Sequence, residues 1–246
     1  KPEVGSAHAS AMLEAGAAMI DIGGESTRPG AAATWEGDEK ERVLPAIEYC
    51  SAMGAAVSVD TRRASVLEAA LDAGAHIAND VSGMRHDPRS MPLAAKAGCP
   101  VILMHAPGDG EDLHNNGEYE SVAFDVFDAL KERRDAAVAA GISRSKIILD
   151  PGIGFGKTVR HNLDLLAHLD DLTGTGHAVV LGVSRKSYIA KVDRDVPPAD
   201  RVAGSVATAL AAWDKGVRVF RVHDVAEHRQ ALAVYGAIAN AGREGP

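Results

Sequence analysis

The chain is poor in cysteine, in aromatics and in long apolar runs, and each shortage removes a class of protein. Two cysteines, Cys50 and Cys99, in 246 residues cannot staple a small secreted scaffold. No apolar stretch is long enough to span a bilayer and no segment reads as a secretory signal, so a cytoplasmic setting with reduced thiols and no membrane partner is expected. Aromatics make up 4% of the residues, and the formal net charge of −8 offers no basic surface for nucleic acid. The ten histidines show no HExxH spacing and no Cys/His cluster, so no metal held by protein ligands is expected. His114, His161, His168 and His177 are expected at the surface. The stretch DPGIGFGKT, residues 150–158, is one residue short of a nucleotide phosphate loop, because Pro151 stands where that loop needs glycine.

Glycine and alanine, by contrast, are plentiful, and they recur in one phrase. A helix-like segment reaches Gly or another small residue and passes at once into an apolar run: EAGAAMIDIGG, MGAAVSVDTR, DAGAHIAND, KAGCPVILMH, GISRSKIILDPG, GHAVVLGVSRK and DKGVRVFRVHD. Glycine suits the left-handed residue that ends a helix, and near-continuous Val/Ile/Leu runs suit strands covered on both faces. Helices are predicted over roughly 36–53, 62–73, 87–97, 121–140, 160–171, 199–215 and 225–240, alternating with the seven runs. Such alternation makes a parallel sheet with helices outside. Seven strands fit an open doubly wound sheet. They also fit a (β/α)8 TIM barrel whose first strand and loop lie upstream of this chain, and the opening KPEVGSAHASAMLEAG, helical with Pro near its start, favours the barrel. One domain over 1–246 is expected.

In a barrel the C-terminal strand ends converge on one mouth. Here those ends carry Asp21 with the Glu25–Arg28 loop, Asp60, Asn79 with Asp80, His105, Asp150, Ser184 to Lys186, and Arg221 with His223. A lone Asp in such a place commonly caps the next helix, and Asp21, Asp60 and Asp80 keep that alternative open. Lys186, Arg221 and His223 are unsuited to that role. Arg221 and His223, two apart, fall on one side of their strand and suit a phosphate or diphosphate. Thr27 and Arg28, on a loop stiffened by Pro29, can add a hydroxyl and a guanidinium fork to the same anion. Asp60, Asn79 and Asp150 form a carboxylate–amide set for a flat heterocycle with adjacent N–H donors, and Lys186 can reach its acceptors.

The motifs DIGGESTRPGA, SVDTR, IANDVSG, VILMH, ILDPGIGFGKT, GVSRKSYI and RVHDV occur in the order found in dihydropteroate synthases, and the chain resembles that family over essentially its whole length. The resemblance implies condensation of 6-hydroxymethyl-7,8-dihydropterin diphosphate with p-aminobenzoate, in the presence of Mg2+, by a homodimer that sulfonamides target. It implies a pterin site of Asp60, Asn79, Met104, Asp150, Gly182, Lys186 and Arg221, with Asp60, Lys186 and Arg221 serving the chemistry. It implies diphosphate on Thr27, Arg28, Arg221 and His223, and p-aminobenzoate beside Pro29, Phe155 and Ser187. The family's first strand and loop, which carry an Asn near the metal, have no counterpart here, and the segment HAPGD departs from the usual family wording. Two other readings share the barrel: a methyltetrahydrofolate methyltransferase, which lacks the SRKS and TRPG pair, and a pterin-binding paralogue without catalysis.

Overall fold

A computed structural model describes residues 2–27, 30–31, 34–108, 113–114 and 117–241. Among the described residues, seven parallel strands lie in chain order in one curled sheet: β1 Met19–Gly23, β2 Ala56–Asp60, β3 Ile77–Asp80, β4 Val101–Met104, β5 Ile147–Asp150, β6 Ala178–Leu181 and β7 Val219–Phe220. Helices alternate with them: α1 Pro2–Glu14, α2 Glu36–Ala52, α3 Ala64–Asp72, α4 Ser90–Ala97, α5 Val122–Ala139, α6 Val159–Ala167, α7 Leu169–Thr173, α8 Ser187–Val192, α9 Val202–Asp214 and α10 Val225–Ala241. The expected barrel architecture is therefore observed, with the sheet open between β1 and β7. None of the described helices is long and apolar enough to cross a membrane.

The strands are short because each is only the buried middle of a βα unit. Val57, Val59, Val101, Leu103, Leu149 and Leu181 are buried and pack under Val43, Ile47, Val66, Leu130, Leu165 and Leu169 of the surrounding helices. The register places strand ends side by side, Gly23 opposite Asp60, Asp60 opposite Asn79 and Met104 opposite Asp150, so the polar ends share one rim. Glycine ends several helical segments with positive φ, as expected: Gly16, Gly54, Gly74, Gly98, Gly141 and Gly216.

The observed helices depart from the predicted ones at two places. The segment 160–171 divides into α6 and α7 at His168, whose φ of −110° is not helical. Helix α8 was not foreseen, because six residues are too few to show a 3.6-residue period. The expected surface position of His177 is wrong: it is 8% exposed and its Nδ1 meets the Ile147 carbonyl. His114 is half-buried and stacks on Phe155, with ring centroids 5.1 Å apart.

The Gly23–Gly24 exit from β1 has a steric reason. A Cβ at Gly24 would fall 2.9 Å from both Cγ and the carbonyl oxygen of Glu39, and one at Gly23 would crowd Asp60. Glu39 itself is fully buried. It accepts from Thr61 Oγ1 at 2.6 Å and from Arg63, which also pairs with Glu25 at 3.0 Å, tying α2, the β2 exit and the β1 exit together. Removing one member of a buried ion pair strands the other in low dielectric. Glu39→Gln is expected to lower the unfolding free energy by about 3 kcal/mol, read as a shifted urea midpoint at constant slope.

Candidate active site

The strand ends form a connected polar cluster. Asp21, at the middle of β1, accepts Ser58 Oγ and Asn79 Nδ2 (3.2 Å) on one oxygen and Arg221 Nε (2.6 Å) on the other. Arg221 also stands 3.6 Å from Asp60 through Nη2. Neither Asp21 nor Asp60 caps a helix: α3 begins after Arg63, and the first α3 amide, Ala64 N–H, is taken by Asp87. Asp80 does play the local part, accepting the backbone N–H and hydroxyl of Ser82. Asp21 was visible only as a polar strand end; its role as the hub emerges from contacts with residues 37 to 200 positions away.

Asp150 closes β5 and takes the Gly152 N–H on one oxygen at 2.8 Å, and its carboxyl keeps acceptor capacity on both oxygens for a ligand. Lys186, at the entry to α8, lies with its Nζ 4.5 Å above the Phe155 ring. Phe155 and Met104 belong to one small buried apolar cluster with Val81, Ala106 and Leu113. A Cβ at Gly182 would meet nothing within 4 Å, so this position opens space at the end of β6. His223 sits at the exposed rim, where the Ser184 hydroxyl accepts its backbone N–H and lies 3.0 Å from its Nδ1. Ser187 is exposed beside it. Thr27 is half-buried, and its carbonyl receives His114 Nε2 at 2.5 Å, so the β1 exit reaches the Phe155 neighbourhood. Arg28 and Pro29 lie outside the described residues.

Burial and like charge set the protonation of this cluster. Asp60 is pushed up to about 7, first by burial and then by Asp21, with Arg221 opposing. Burial also raises Asp150 against the pull of the Gly152 N–H and Lys186. Lys186 is lowered to about 8 by burial, with Asp150 opposing. Arg221 is raised, chiefly by Asp21, and stays charged at any working pH. His223 is lowered by burial and then by Arg185. Two carboxyls biased toward neutrality beside permanent and near-permanent cations suit a ligand with both N–H donors and negative charge.

These features define a pterin-binding class of barrel enzyme, and residues 2–223 match the family model described as pterin binding enzyme. The dihydropteroate synthase of Bacillus subtilis is 41% identical over 236 residues, 96% of this chain and 80% of that protein. The structure of Xanthomonas albilineans dihydropteroate synthase with 4-aminobenzoic acid superposes with a TM-score of 0.92 at 41% identity, covering 100% of this chain and 86% of that one. That of Yersinia pestis with a sulfonamide drug gives 0.90 at 42% identity, covering 95% and 85%. The chain belongs to the dihydropteroate synthase family.

A carboxyl whose folded pKa lies above its unfolded one subtracts stability progressively as pH climbs from the unfolded value to the folded one. For Asp60 that window runs from about 4 to about 7. Asp60→Asn should therefore raise the thermal midpoint, with a larger gain at pH 8 than at pH 5 by circular dichroism. A larger gain at pH 5 would contradict the assigned direction.

Proposed function

We propose that the chain condenses 6-hydroxymethyl-7,8-dihydropterin diphosphate with p-aminobenzoate, giving 7,8-dihydropteroate and diphosphate in folate synthesis. The observation that carries this reading is the placement of one lasting cation, Arg221, against the Asp21–Asp60–Asn79 acceptor set on a rim that also holds Asp150 and Lys186. A diphosphorylated heterocycle needs both halves within its own length.

In this reading Asp150 accepts two N–H donors from the amino-pyrimidinone edge of the pterin, and Lys186 donates to its ring acceptors. Asn79 is oriented by donating one amide proton to Asp21 at 3.2 Å, which reserves its oxygen and second proton for the ring. Met104 and Gly182 line the slot, and Arg221 lies along the ring toward the diphosphate. His223, Thr27 and Arg28 add donors to the anion. The p-aminobenzoate borders Phe155, Pro29 and Ser187, where a sulfonamide would also sit. Its aniline nitrogen attacks the pterin methylene, the C–O bond to diphosphate breaks, and the nitrogen releases a proton to water. The leaving oxyanion needs positive charge more than the weak nucleophile needs a base, so Arg221 stabilises departing charge while the Asp60 carboxylate faces the electron-poor methylene.

Mg2+ belongs to the proposal as a companion of the diphosphate. The described residues contain no group of three His, Cys, Asp or Glu able to hold it, and both Asp21 oxygens are engaged by protein donors. The ion would be held by diphosphate oxygens, and the steps above do not depend on it. A homodimer is proposed through the small-residue face of α9 and through α10, where Val234 and Ile238 are exposed at 56% and 67%. A cytoplasmic setting is supported by the two thiols, both free and buried.

The test is a steady-state assay of the full-length protein with the pterin diphosphate, p-aminobenzoate and Mg2+, reading 7,8-dihydropteroate. Pterin binding without product would overturn the catalytic reading in favour of a binding protein. Arg221→Ala should weaken the diphosphorylated pterin by about 100-fold, the scale of a charged hydrogen-bond pair, and the phosphate-free pterin far less; equal losses would refute the anion placement. Asp150→Asn should cost both ligands about tenfold, and sparing of the phosphate-free pterin would refute the ring placement.

A further inference from the structure

Lys157 is a half-buried cation that the steps above leave unused. It ends the 151–157 loop between β5 and α6. Its Nζ lies 2.9 Å from the Gly152 carbonyl, 3.1 Å from the Phe155 carbonyl and 3.0 Å from His105 Nδ1 at the β4 exit. An ammonium has three protons, and these three acceptors use them all, so nothing remains for a ligand. Nδ1 of His105 is then an acceptor and its ring N–H sits at Nε2. Burial, followed by Lys157, lowers His105 to about 3, so its ring is neutral as the acceptor role requires, while burial lowers Lys157 to about 7 against the pull of Asp150. A desolvated cation is retained there only if its hydrogen bonds are satisfied.

The loop it gathers has little stiffness of its own. Gly152, Gly154 and Gly156 all have positive φ, three left-handed glycines within five residues. A Cβ at Gly152 would fall 1.8 Å from the His105 carbonyl oxygen, and one at Gly154 would come within 3.2 Å of Lys186 Cδ. The loop is thus pressed between the β4 exit and Lys186. The buried Asn162 holds its far side by accepting Gly154 N–H at 2.8 Å. Between these anchors stands Phe155, under Lys186 and against His114.

We propose that Lys157 is a positioning residue: by drawing Gly152, Phe155 and His105 to one ammonium it fixes the Phe155 ring against Lys186 and so sets the slot for the aromatic amine substrate. This inference rests on the reading that Phe155 borders p-aminobenzoate. Lys157 acts through Phe155 and touches neither substrate.

The test compares Lys157→Met, Phe155→Leu and the double variant of the full-length protein in steady-state assays, with thermal midpoints recorded. Lys157→Met should raise KM for p-aminobenzoate about tenfold, the scale of a modest misplacement of a reacting partner, while KM for the pterin diphosphate stays within about twofold. The double variant should be no worse than Phe155→Leu alone, because both changes act on one ring. A unchanged KM for p-aminobenzoate in Lys157→Met overturns the proposal, as does full additivity in the double variant. A shift in both KM values together with a lowered midpoint marks a merely structural role and overturns it too. If Phe155→Leu alone leaves KM for p-aminobenzoate unmoved, the placement of that substrate fails first and the inference falls with it. Should Lys157→Met not yield folded protein, Lys157→Gln, which keeps an amide donor, is read by the same criteria.

Discussion

The guanidinium of Arg221 resting between Asp21 and Asp60 is the contact around which the mouth of this barrel is organised. It joins the exit of the last described strand to the first, across 200 residues of chain, at 2.6 Å. It also answers an electrostatic problem that the sheet creates. Parallel register puts Asp21, Asp60 and Asn79 on neighbouring strands, and the Asp21 charge adds to burial in favouring the protonated form of Asp60. A single delocalised cation lying across both offsets part of that effect. Because the Arg221 side chain is 52% exposed, solvent weakens the pair, so its contribution to global stability is modest. Its consequence is local: the cation stays where a ligand arriving from solvent can meet it.

The strands and most helices were legible because the chain repeats one physical solution, a helix stopped at a small residue followed by a strand covered on both faces. Val57, Val59, Val101, Leu103 and Leu181 read as buried and are buried. The strand-end residues Asp60, Asn79, Asp150, Lys186 and Arg221 were legible for a related reason, since period two and parallel register convert sequence position into a rim position. What was not legible is what depends on distant partners. Asp21 looks like a helix cap until Ser58, Asn79 and Arg221 are seen around it. His177 looks like surface until its ring is found at the Ile147 carbonyl. Lys157 looks like the residue of a failed phosphate loop until its three acceptors are seen. In each case the partners that fix the side chain's role come from strands and loops elsewhere in the fold.

Glycine was the reverse case, where the residue type was informative but its reason was tertiary. Gly24 is required by the fully buried Glu39 pressed against it, and Glu39 in turn anchors Arg63, Thr61 and, through Arg63, Glu25. The same ion-pair chain therefore sets both the exit of β1 and the loop that follows Asp60. Rigid support beneath a rim that must hold charged groups in fixed geometry is what preorganisation requires, since donors already aimed at developing charge cost no reorganisation during the reaction.

A chain of net charge −8 can still gather a polyanion, because the field at short range is set by which charges are desolvated together. At this rim Asp60 and Asp150 are held toward neutrality by burial while Arg221 cannot be neutralised and Lys186 is only partly lowered, so the local balance is more positive than the chain as a whole. In the proposed reading an incoming diphosphate would compete with Asp21 for the same guanidinium. If the anion draws Arg221 away, Asp21 and Asp60 lose their counter-charge, and N–H donors of a bound ring become the groups able to replace it. Anion and ring binding are then coupled through one arginine: each makes the other more favourable, and by linkage the coupling has the same size in both directions.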